Sequence, residues 1–124
     1  MRELRRIVRP GGRVLASTHG TYVYHPNPLD LWRWTQPGLE RLFLDAGEWT
    51  SLRVAPAQGT AATTAMLVAH LLDLAFKRLR LRPLGAPFVW GLNAIGASLD
   101  RALPLLREPI PGSLTGTFHV DGVA

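Results

Sequence analysis

The side chains most capable of chemistry are concentrated between His19 and Thr35, where the chain reads HGTYVYHPNPLDLWRWT. This stretch holds two histidines, two tyrosines, two tryptophans, an aspartate and an arginine three residues after it. Six of these residues form a candidate binding wall: His19, Tyr24, His25, Trp32, Arg33 and Trp34. Flat aromatic faces can pack on an acceptor molecule, and a guanidinium can pair with an acidic group on it. An imidazole can orient or deprotonate a hydroxyl. A structural alternative stands beside this reading, in which Trp32 and Trp34 cap a sheet and Arg33 forms an internal ion pair. No residue is singled out as catalytic. The four histidines, His19, His25, His70 and His119, lack the i, i+4 spacing of a helical metal site, so no metal is expected. His70, three residues before Asp73, reads as half of a polar pair.

These residues need elements to position them. Leu4, Ile7 and Val8 repeat with helical spacing, and Pro10-Gly11-Gly12 turns the chain. Arg13 to Thr18 is a short apolar run, as in a strand covered on both faces. After the aromatic loop, Thr35 is placed to cap a helix with Pro37 in its first turn and Leu39, Leu42, Phe43 and Ala46 as its apolar stripe. Gly47 ends that helix. Glu48 to Pro56 reads as a second strand, with Trp49, Leu52 and Val54 as its apolar positions. Thr60 to Leu81 is helical and ends in the basic run Lys77, Arg78, Arg80 and Arg82. Pro83 to Pro87 reads as a break and Phe88 to Leu106 as another apolar helix, ended or kinked near Pro104. The final segment, with Thr117, Phe118, His119 and Val120, favours extended backbone.

The composition bounds the partners. The chain has 124 residues, 47% of them apolar and 19% charged, and a net charge of +5. That excess suits nucleic acid, acidic headgroups or a phosphorylated substrate equally. The basic run at 77–82 has no interleaved aromatic residue, so nucleic acid is not expected. With no cysteine, disulfides, zinc–thiolate sites and thiol catalysis are excluded. No signal peptide is read at the N-terminus, and no apolar stretch reaches the about 18 residues of a spanning helix. A cytoplasmic location is therefore expected. The apolar runs and flanking arginines of residues 59–112 are compatible with peripheral contact at a membrane surface.

Two phrases carry a resemblance. ELRRIVRPGGRVLAST resembles the helix–turn–strand segment of class I S-adenosylmethionine-dependent methyltransferases, in which a phrase of the type E-x-x-R-V-L-K/R-P-G-G leads into the fifth strand. Here Glu3, Arg6, Ile7, Val8, Arg9, Pro10, Gly11 and Gly12 fall in that frame. DLWRWTQPGLERLFLDAG is similar to the phrase D-Y/L-W-R-F/W-T-x-x-G-L-x-x-L-F/L-x-x-A-G-F of the type 11-like members, with Trp49 standing for the aromatic that usually follows Ala-Gly. The tail LTGTFHVDGVA is similar to the family's last strand.

The resemblance implies an α/β fold, a partial Rossmann-like methyltransferase sheet of three strands. The last strand is expected antiparallel and inserted between the other two, with residues 59–112 as a helical insert in a single domain. It implies that the chain is the carboxyl-terminal half and supplies the acceptor side of the site. The acceptor would be a small molecule or a glycan, receiving a methyl group on oxygen, nitrogen or carbon. S-adenosylmethionine would serve the complete fold but not bind this chain alone. The family's glycine-rich donor loop is not found in these residues, and Met1 would interrupt a helix that the donor half precedes. Two alternatives are a non-enzymatic remnant or partner subunit, joined to a donor-binding chain or to a second copy through the edge of the first strand, and a membrane-surface protein acting through the insert.

Overall fold

The computed structural model describes residues 1–26 and 29–124; the expected loop positions Asn27 and Pro28 lie outside them. The elements run α1 (Arg2–Ile7), β1 (Arg13–His19), α2 (Gln36–Leu44), β2 (Ser51–Gln58), α3 (Thr60–Arg78), α4 (Arg82–Ala102), a 3-10 turn at Pro104–Leu106, and β3 (Thr117–Val123). The architecture is mixed α/β. A three-stranded sheet has the order β1-β3-β2, with β3 antiparallel to both neighbours. β1 and β2 therefore point the same way, with the last strand between them, as expected from the sequence.

Register explains which face is buried. Val14 pairs with Gly122 and Ala16 with Val120; Leu52 and Val54 meet the same two β3 residues from the other side. Strand side chains alternate, so these positions share one face. Against that face α2 packs Leu39 and Phe43, joined by Leu4 and Val8 from the first helix region. The oxygen of Thr35 caps α2 by accepting from the Gly38 amide at 3.2 Å. The other sheet face, with Leu15, Arg53, His119 and Asp121, has an open cleft of about 560 Å³. The proline–glycine–glycine corner fastens the chain end, because Gly11 N–H donates to Ala124 O and Ala124 N–H to Gly12 O.

The structure corrects two boundaries. β2 starts at Ser51 rather than Glu48. Trp49 is not a strand position: it folds over Gly122, and its indole N–H donates to Phe43 O at 2.9 Å. Proline lacks a donor, and Pro56 in β2 is tolerated because β2 is an edge strand with an irregularity between Pro56 and Gln58. Residues 83–87 are not a break, since α4 begins at Arg82. Pro83 falls in its first turn, where an amide has no intrahelical partner, so only Pro87 costs a helical hydrogen bond. Asp73 pairs with Lys77, one turn along α3.

The start of α3 is capped from a distance. Gly59 occupies its N-cap without a side chain, and buried Asp100 near the end of α4 supplies the carboxylate. Asp100 accepts from the amides of Gly59 at 2.7 Å, Ala61 at 3.0 Å and Ala62 at 3.3 Å. Those amides are otherwise unpaired donors, and the helix dipole favours an anion there.

Candidate functional site

The aromatic loop leaves β1 at His19 and is tied down at its base. Gly20 N–H donates to Gly116 O at 3.0 Å, Thr21 N–H to Thr115 O at 2.7 Å, and Trp34 N–H to His19 O at 3.2 Å. A β-carbon at Gly20 would stand 2.4 Å from Thr115 O and 2.9 Å from the Phe118 ring, so only glycine fits. The backbone approach that glycine permits is thus used by the protein itself.

Further out, Asp30 and Arg33 organise the loop. They form a bidentate ion pair, with the Asp30 carboxylate nearly buried. Asp30 also accepts from the His25 amide at 2.8 Å. Arg33 donates to Trp32 O and Val23 O, each at 3.0 Å. Four of its N–H groups are engaged in this way, which leaves the Nε–H. Arg33 here serves the internal ion pair that the sequence offered as an alternative to an acceptor contact. The Arg33 guanidinium, helped by the His25 amide, lowers the Asp30 carboxyl to about 2.

Around this pair lies a cleft of about 270 Å³ lined by Tyr22, Tyr24, Asp30, Leu31, Trp32 and Arg33. It brings together three of the six expected residues, Tyr24, Trp32 and Arg33. Trp32 is 70% exposed, so its ring is available to a ligand. His19 does not line the cleft but stacks on Tyr22, which does, at 4.3 Å between ring centroids. Trp34 turns inward onto the core, 6.3 Å from Trp32, and lines a neighbouring cleft with Thr21, Pro109 and Phe118. His25 is exposed and is not among the lining residues. Tyr22, Asp30 and Leu31 were missed as site residues. The i, i+3 spacing of Asp30 and Arg33 was the signal for the second.

The arrangement is a shallow aromatic shelf braced by an ion pair that leaves one guanidinium N–H over. It can stack on a flat or apolar ring, and it offers few free donors. No group of three His, Asp or Glu side chains converges among the described residues. The glycines that flank β1 are taken up by the protein's own backbone and side chains. Gly20 is filled by Thr115 and Phe118, and Gly11 and Gly12 hold Ala124. No family model, curated protein or solved structure matches this chain.

Proposed function

We propose that this chain forms the acceptor-binding side of an S-adenosylmethionine-dependent methyltransferase, with the donor held by residues outside these 124. The observation that carries the reading is the sheet order: β3 inserted antiparallel between two strands that point the same way, at the end of a chain bearing both family-like phrases. The placement of the shelf supports it. In open α/β sheets ligands bind beyond the carboxyl ends of strands, and the loop that carries Tyr24 and Trp32 follows β1 directly. The role of the shelf is to align an acceptor ring, and alignment alone supplies a large part of a bimolecular barrier.

A second form of the reading makes the chain a partner subunit. Among the described residues β1 has a neighbour strand on one side only, which leaves its outer edge to take another strand. Isothermal titration tests both forms. The 124-residue chain is expected to give no saturable heat with S-adenosylmethionine. Saturable binding appears when a glycine-rich donor half is fused ahead of α1, or when that half is added as a separate chain. Tight binding by the chain alone, or a well-folded fusion that binds no better than its donor half, overturns the reading.

A further inference from the structure

The pair α3 and α4 leaves one long side bare. Phe76 and Phe88 stack across the pair with ring centroids 6.2 Å apart, which fixes which flanks lie together. Leu72 stands one turn before Phe76 on α3, and Leu79, the C-cap of that helix, stands about one turn after it. Leu84, Phe88, Ile95 and Leu99 recur at helical spacing on α4. All six side chains are exposed, Phe88 at 66%. The described residues of the aromatic loop do not cover them. Tyr22 and Val23 meet the pair along Met66, His70, Asp73, Val89 and Asn93, which helical spacing puts on the other side.

The tip joining the helices is strongly basic. Lys77, Arg78, Arg80 and Arg82 fall within six residues. Lys77 is paired with Asp73, while Arg78, Arg80 and Arg82 form no salt bridge among the described residues. Arg80 is placed at a cost. Its φ of +59° lies in the left-handed region, closing α3 with bonds from Leu81 N–H to Phe76 O and from Arg80 N–H to Lys77 O. Glycine is the ordinary occupant of that position. The chain instead holds a guanidinium there, between exposed Leu79 and Leu81.

We propose that the α3–α4 hairpin lies on an anionic lipid surface, with its apolar side in the interface and its basic tip on the headgroups. Charge complementarity selects this occupant. The same hairpin of a second copy would bring the same cations and no free acid, since its two acidic residues are Asp73, tied to Lys77, and buried Asp100. A nucleic acid would satisfy the cations but leave the leucine and phenylalanine stripe in water. Anionic lipid satisfies both. No described helix is long and apolar enough to cross a membrane, so the hairpin lies along the surface.

Co-sedimentation of the full chain with phosphatidylcholine vesicles, with and without phosphatidylglycerol, tests the proposal. Binding is expected on the anionic vesicles, little on the zwitterionic ones, and a loss in high salt. Arg80→Gly relieves the strained position, so it should raise or preserve the melting temperature while lowering partition about fivefold. Phe88→Ser should weaken binding with unchanged circular dichroism. Equal binding to both vesicle types, wild-type binding by both variants, or a solution dimer abolished by Phe88→Ser without any vesicle binding overturns the proposal.

Discussion

The sheet region and the helical hairpin bury opposite kinds of residue. Beneath α2 the interior is made of large side chains: Phe43 and Val120 are each 1% exposed, with Leu39 and Phe118 beside them. Within the hairpin the buried positions are Ala62, Thr63, Ala65, Ala69, Gly85, Gly96 and Asp100. A β-carbon at Gly96 would stand 2.4 Å from that of Ala65, so the two helices approach almost backbone to backbone. Many large residues of the hairpin are exposed, while Phe76 packs over Gly85 and stacks on Phe88 across the pair. One region is held by apolar area removed from water, the other by close approach of small residues and a polar cap.

The comparison breaks first on a pair of phenylalanines. Phe43→Ala empties a filled core position and is expected to cost about 4 kcal/mol. Phe88→Ser, on the exposed hairpin side, is expected to cost only about 1 kcal/mol, the worth of its stack on Phe76. Urea unfolding of the two variants measures both. Equal losses would mean that the hairpin side is covered in solution and that the contrast is wrong.

Asp100 tests the hairpin's own fastening. Asp100→Ala leaves the amides of Gly59, Ala61 and Ala62 without their acceptor, a loss of about 3 kcal/mol. Asp100→Asn keeps one acceptor oxygen and should recover part of it. Thermal melts followed by circular dichroism give the order wild type, Asn, Ala. A wild-type melt for Ala would show that the α3 start is satisfied without the carboxylate.

Much of the sheet region was legible in the sequence because its patterns are local. The Thr35 cap and the Leu39–Phe43 stripe could be read from spacing, whereas the insertion of the last strand came only from what the resemblance implies. The hairpin was less legible. Periodicity finds an apolar helix but does not say which apolar face is buried; close packing chose alanine and glycine. The cap on α3 lies 41 residues from Gly59, beyond the reach of any local motif. At the site, residue types marked the shelf but not the state of Arg33, because whether a guanidinium faces a ligand or a neighbouring carboxylate is decided by loop conformation.

The loop is where the two regions meet, rooted on β3's approach and leaning on the hairpin through Tyr22 and Val23. Its own fastener titrates. The Asp30 carboxyl sits at about 2 when folded, against an ordinary value of 3.8, because Arg33 and the His25 amide hold its charged form. A lowered folded value contributes stability that is fully present above the unfolded value and fades as pH falls through the folded one. The loop should therefore stay fastened at neutral pH and loosen between about pH 4 and about pH 2. Asp73 and Asp121 are lowered in the same direction by Lys77 and Arg13, so acid also strains the hairpin and the sheet. Asp30→Asn separates the loop from these. Trp32 and Trp34 report on it by fluorescence, while far-UV circular dichroism follows the helices. The expected result is a wild-type fluorescence change in that acid window that shrinks in the Asn variant, with the circular dichroism transition unmoved. An identical fluorescence titration in both proteins would show that the ion pair does not hold the shelf. The shelf would then belong to the regions it touches rather than to itself.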